Sequence, residues 1–334
     1  MKAAQPSSFW KGARRWLPGV VISIVALFLV FRLASWQDLS TAFESLRLLN
    51  VVIAVALTLI SLGTRALAWR ITLRGKASLR QAFFIINEGY LLNNLFPLRA
   101  GEFGRAVFMG QASGMGPFHV LSTIVIERIF DLAMAATLLL ITLPLALGMA
   151  WARPVAIVTL ILVVVGLVLM YLAARYNQWV QDFVSRLGAR WPLVQKQVIP
   201  RIGSLLNGLS VITDPLRFLA AFSMIAISWV IWVVIYYVML IPIVPQAQFW
   251  WAAFADGVLA LGIAIPSAPA ALGVFEAALV GALSLLDVNV SAATAYAISM
   301  HFLQFVVTGL LGLWGLVLEG HSLSAVFSQA KSRE

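Results

Sequence analysis

The chain has 334 residues, 62% hydrophobic and only 11% charged, against roughly 25% charged in a soluble domain, which excludes a water-soluble globule as its main body. It has no cysteine, and its three histidines, His119, His301 and His321, are not spaced as a zinc-binding helix pair, so disulfides, thiolate chemistry and a metal or other cofactor are not expected. The formal net charge of +10 comes mainly from Lys and Arg beside apolar runs, a positive-inside pattern rather than a nucleic-acid surface.

The first apolar run, 17–34, follows Lys11, Arg14 and Arg15. It is longer than a signal-peptide core and lacks a small-residue cleavage site, so it reads as an uncleaved span. Further spans are predicted at 51–69, 119–147, 155–173, 218–241 and 295–318. Two apolar regions, about 82–116 and 250–287, are broken by proline and polar residues. Basic residues cluster in the tail 1–16, after 69, in the loop 174–217 and in the tail 321–334. All fall on one side if each broken region returns to the face it entered from, which makes both termini cytoplasmic; a re-entrant dip fits this better than a helix pair, which would make the uncharged turn Pro266-Ser-Ala-Pro269 a cytoplasmic loop.

The two broken regions resemble each other. One reads Pro97-Leu-Arg99-Ala-Gly101-Glu102 and the other Pro269-Ala-Ala-Leu-Gly273-Val-Phe-Glu276. Each places glycine four residues after proline and glutamate soon after. Entry from opposite faces is the mark of an inverted repeat with a midplane site built from broken helices. The expected fold class is an all-α integral membrane protein with about six full spans and two re-entrant dips, in a single transmembrane domain over 17–320.

Ionisable residues inside apolar spans are costly and mark candidate sites. In the first dip, Pro97 should stop one helix and Gly101 permit the reversal, with a half-helix starting near Ala100 or Gly101. Free N–H groups at that start, flanked by Arg99 and Arg105 and with Asn93 and Asn94 at the break, suit a phosphate. The other reading is that both arginines pair with Glu102, Glu127 or Asp131 and hold the dip shut. Glu127, Arg128 and Asp131 occupy adjoining faces of one helix and should meet the first dip, as a buried network or as substrate- or proton-handling groups. Glu276, in the second dip, has His301 and Gln304 as candidate neighbours from the last span.

Three motifs carry a family resemblance: Asn94-Leu-Phe-Pro97-Leu-Arg99-Ala-Gly101-Glu102-Phe-Gly-Arg105, then Glu127-Arg128-Ile-Phe-Asp131, then Pro269-x-x-x-Gly273-Val-Phe-Glu276. In this order the chain resembles, over about 15–320, the flippase-like membrane family named for the transmembrane region of lysylphosphatidylglycerol synthase. The resemblance implies a lipid translocase of the cell membrane and no catalysis. Its substrate would be an anionic phospholipid, glycolipid or polyprenyl-linked lipid, with a lipid-modifying enzyme as a candidate partner. No soluble transferase domain is present, so lysine transfer is not expected. Ala270 and Ala271 stand where the family often has a glycine pair. Two other readings stay open: an intramembrane lipid phosphatase or transferase using Ser267 and His301, and a non-catalytic partner of a glycosyltransferase.

Overall fold

The computed structural model describes residues 36–96, 99–147, 152–187, 199–264 and 267–321, with scattered positions between 21 and 32. The tail 1–16, most of the predicted span 17–34, Pro97 and residues 322–334 lie outside the described residues.

The described chain is helical throughout. In order run α1 (Trp36–Glu44), α2 (Leu48–Thr72), α3 (Leu79–Leu95), α4 (Ala100–Ser113), α5 (Pro117–Leu147), α6 (Ala152–Arg175), α7 (Asn177–Leu187), α8 (Ile199–Leu209), α9 (Pro215–Leu240), α10 (Phe249–Gly262), α11 (Val274–Ser284) and α12 (Val290–Glu319). Local sequence explains several ends. Ser78 and Gln81 form a reciprocal cap on α3. Asp214 caps α9, with Pro215 at its first position. Asn289 caps α12, and Gly320 ends it in the left-handed conformation.

Four helices are long and apolar enough to cross a membrane: α2, α5, α9 and α12. A fifth span is gained if Leu160–Arg175 and Asn177–Arg186, which meet at 85°, count as one. The described residues therefore hold four or five of the six expected spans. The loop 174–217 is largely helical, as α7, α8 and a 3-10 turn at Ser210–Thr213. Large apolar side chains remain exposed on the outer faces, such as Leu162 and Leu169 on α6 and Leu310 and Val317 on α12. That surface suits hydrocarbon and not water.

Inside, buried apolar side chains such as Phe130, Phe254 and Tyr296 fill the helix contacts, and small and polar residues join them. Along the α2–α9 contact, Ser61 and Ser228 share a 2.8 Å hydrogen bond and Asn50 donates to the Val238 carbonyl at 2.7 Å. Interhelical hydrogen bonds of this kind, with small side chains between, hold helices together where lipid offers no hydrophobic drive. α3 packs on α12 and on α4, and α10 packs on α5, α9 and α11. These contacts bring both broken regions to the centre of the bundle.

Neither broken region holds a helix of spanning length. At 1.5 Å per residue, the 17-residue α3 reaches only about 25 Å and the 14-residue α4 and α10 about 21 Å. Phe96 is extended at φ −123°, ψ 144°, as the residue before a proline should be. The reversal does not use Gly101 as the sequence suggested. Arg99 takes the left-handed conformation, φ 53°, ψ 43°, and α4 starts at Ala100. In the second break Ala270 (φ 58°), Ala271 (φ 56°) and Gly273 (φ 83°) are all left-handed. Left-handed backbone costs an L-residue about 1–2 kcal/mol, and glycine gives back about 0.4–1 kcal/mol through the unfolded chain. Ala270→Gly and Ala271→Gly should each leave stability unchanged or raise it by up to about 1.6 kcal/mol. Thermal melting in detergent checks this, with Gly273→Ala shifting the opposite way; a lower melting point for both glycine variants would contradict the left-handed turn.

Candidate functional site

A closed set of charges lies between α2, α4 and α5. Glu127 is its hub. Its carboxylate accepts from Arg65 at 2.7 Å, Arg105 at 2.7 Å and Arg128 at 2.6 Å. Asp131 accepts from Arg65 at 2.8 and 3.0 Å and from the Trp229 indole N–H at 2.9 Å, and it lies 3.2 Å from Arg128. Glu102 accepts from Arg105 at 3.3 Å and lies 3.7 Å from Arg128. Three arginines thus meet three carboxylates, and the set is neutral by pairing. Arg105 is fully buried, with its guanidinium carbon 4.3 Å from the centre of the Trp69 ring.

Arg99 stands outside that set. Its Nη2 donates 2.8 Å to the Ile263 carbonyl, where α10 ends. One hydrogen bond therefore joins the two helix breaks. On either side of it lies a cavity, of about 280 and 290 Å³. Both halves are lined by Tyr90, Arg99, Arg128, Ile263, Gln304 and Thr308, so they form one space divided by the Arg99–Ile263 contact. The first half also has Asn93, Asn94, Glu102, Ser267 and His301 on its wall. The second has Arg65, Asp131 and Asp256.

The second break brings Glu276 together with His301, one of its two candidate neighbours. His301 Nδ1 lies 2.6 Å from Glu276 Oε1, and the ring stacks on Phe275 at 4.3 Å. Glu276 Oε2 accepts the Gly273 N–H at 2.7 Å, which caps α11 and fixes the carboxylate. Pro269 opens the 3-10 turn Pro269–Ala271. In the first break, Asn94 donates to Thr308 at 3.3 Å. Asn93 Oδ1 accepts the Gly101 N–H at 2.8 Å, so one N–H at the start of α4 is already satisfied by the protein.

The expected site residues are thus divided. Asn94, Arg99, Glu102, Arg128, Asp131 and His301 line the cavity, while Glu127, Gly273 and Glu276 support it from behind. Arg105 does not line it, and Gly101 is buried against Gly89 instead. Glu88 is also elsewhere, 2.7 Å from His321 at the end of α12. Sequence reasoning missed Arg65, although an arginine inside the predicted span 51–69 was signal enough. It also missed the aromatic stripe Trp229, Trp232 and Tyr236, which had no polar signal to separate it from an apolar span.

Residues 16–312 match the family model described as the lysylphosphatidylglycerol synthase TM region. The chain belongs to that family. No curated protein matches it. The match covers all three motifs and every cavity-lining residue named above. A lysylphosphatidylglycerol synthase TM region is a multi-pass membrane domain tied to lipid handling, and the cavity lies within it.

Proposed function

We propose that this protein is a lipid translocase that carries a phosphate-bearing headgroup between leaflets through the divided cavity. The observation that carries the reading is Arg99. It is the arginine of the site with no carboxylate within ion-pair distance among the described residues, and it bonds a carbonyl instead. A headgroup phosphate binds this guanidinium more strongly than a neutral carbonyl does, because both partners are charged and the planar fork matches two oxygens. Exchange of the Ile263 carbonyl for phosphate opens one half of the cavity to the other. Arg128, its side chain 30% exposed and on the wall of both halves, is the second phosphate ligand. Arg105 stays in the buried network.

The two breaks act as halves of an inverted repeat in this reading, each entering from its own face, with six full spans around them and both termini cytoplasmic. Each break ends in left-handed backbone followed by a helix with a glutamate in its first turn, Glu102 in one and Glu276 in the other.

The test is movement of fluorescent acyl-labelled lipids in vesicles holding purified, folded protein. Losing charge-assisted hydrogen bonds worth about 1.5–3 kcal/mol should slow Arg99→Gln by ten- to a hundredfold, with Arg128→Gln also slowed. Arg99→Lys, which keeps the charge but loses the fork, should fall between. Parental rates in both glutamine variants would place the headgroup elsewhere, nearest Glu276.

A second reading rests on His301. Backed by Glu276, it lines the same half-cavity as Ser267, which is how a general base is oriented near a hydroxyl. Mass spectrometry of the lipids from the same vesicles separates the readings. Translocation leaves the lipid unchanged, an intramembrane phosphatase or transferase makes product, and a non-catalytic partner does neither.

A further inference from the structure

Asp256 is the charge-bearing group of the cavity that the phosphate reading leaves unused. It sits in the middle of α10 and is 8% exposed. Its Oδ2 is buried with no hydrogen-bond partner, and no Lys, Arg or His lies within ion-pair distance of it among the described residues. A carboxyl group taken out of water without a partner is costly, so the arrangement calls for a ligand that supplies one.

The walls around it say which ligand. The half-cavity that Asp256 lines is also lined by Trp229, Trp232 and Tyr236. These stand three and four residues apart on α9, so they form one stripe. Trp229 is pinned by its 2.9 Å bond to Asp131, and the Trp232 and Tyr236 rings lie 6.1 Å apart. Aromatic rings grouped with a carboxylate recognise an ammonium ion, the rings through their quadrupole and the carboxylate through charge. Asp256 has no positive charge to offer a phosphate, whereas Arg99 and Arg128 line the same space and would attract it. This half-cavity therefore presents groups that suit both the cationic and the anionic part of one ligand.

We propose that Asp256, with Trp229, Trp232 and Tyr236, forms an ammonium-binding subsite, so that the headgroup carried is zwitterionic, with its phosphate at Arg99 and Arg128. The second half of this statement rests on the translocase reading. The subsite selects phosphoethanolamine-type headgroups over phosphoglycerol-type ones, because only the former place a positive charge a few bonds from the phosphate.

Binding tests this without requiring transport. The full chain in detergent is titrated with dioctanoyl phosphatidylethanolamine, its N-acetylated form and dioctanoyl phosphatidylglycerol. The parent should prefer the free amine by about tenfold over both others, as one charge-assisted contact allows. Asp256→Asn should remove that preference and leave phosphatidylglycerol binding within about twofold. Trp232→Leu, which leaves the carboxylate in place, should weaken the preference as well and serves if Asp256→Asn folds poorly. Equal binding of all three lipids by the parent overturns the subsite, as does a loss in Asp256→Asn that is the same for every lipid. If Arg99→Gln binds all lipids as the parent does while amine preference persists, the phosphate assignment fails and the ammonium subsite stands. If neither lipid class binds the parent, both fall. Soluble phosphoethanolamine binding as tightly as the lipid would keep the subsite and overturn its assignment to a lipid headgroup.

Discussion

Glu127→Gln should cost the folded protein about 3–5 kcal/mol, the range for removing one partner from a buried ion pair. Glu127 accepts from Arg65, Arg105 and Arg128 at once, and only 6% of its side chain is exposed. Glutamine keeps one acceptor oxygen and turns an NH₂ group toward guanidinium groups that also donate. Three arginines would then face Glu102 and Asp131 alone, with a charge uncompensated in a medium of low dielectric. Asp131→Asn should cost nearly as much, since asparagine keeps only one of the two oxygens that accept from Arg65 and removes the charge that faces Arg65 and Arg128. Asp287→Asn is the control. Asp287 is exposed and left-handed, φ 58°, a conformation asparagine takes readily, so its melting point should not fall. Melting of purified protein in one detergent checks all three. Adding Arg65→Gln to Glu127→Gln should cost less than the two changes summed, because the residues share one network. A parental melting point for Glu127→Gln would mean that the network does not hold these helices.

The parts of the site legible in the sequence were those where a local rule is broken. Glu127 and Asp131 stood out because carboxylates in an apolar span need partners, and the structure supplies them. Glu276 and His301 were read as neighbours from their places in the second break and the last span, and they meet at 2.6 Å. The start of α4 was read from the break as near Ala100 or Gly101, and it lies at Ala100. Which arginine bonds which carboxylate was not legible, because that depends on how α2, α4 and α5 cross and not on spacing along any one of them. For the same reason the two readings of Arg105, at a phosphate or paired with Glu102, Glu127 or Asp131, could not be told apart; it lies in the network, and Arg128 takes the cavity wall. The left-handed turn at Arg99 was hidden because a glycine two residues later looked the better candidate. Asp256 is an acid in an apolar stretch, a signal of the same kind as Glu127, but the aromatic stripe beside it can be told from ordinary span residues only with α9 placed next to α10.

Gly101 carries the other large effect, and the structure changes its cause. The sequence offered Gly101 as the residue that permits the reversal. Gly101 instead faces α3. A Cβ added to it would lie 1.8 Å from the Gly89 carbonyl oxygen and 2.7 Å from Asn93 Oδ1. On the other side of the contact, a Cβ on Gly89 would meet Arg105 Cγ at 2.4 Å. The two glycines therefore set the distance between α3 and α4, and that distance seats Arg105 in the charge network. A side chain can rotate away from a clash, but the Gly89 carbonyl belongs to a helix backbone and cannot. Even Gly101→Ala must push the helices apart, stretch the Gly101–Asn93 hydrogen bond and shift Arg105. Its cost should reach the top of the overpacking range, about 3 kcal/mol, and Gly101→Leu should exceed it. Gly281→Ala, with nothing within 4 Å of the added Cβ, should be neutral or stabilising by up to about 1 kcal/mol through helix propensity. Melting of the three variants beside lipid movement decides between the causes. The packing account expects Gly101→Ala to lose stability first, with transport falling in proportion to the folded fraction. Should Gly101→Ala melt like the parent and still stop lipid movement, Gly101 contacts the headgroup, and the α3–α4 crossing is looser than its two glycines imply.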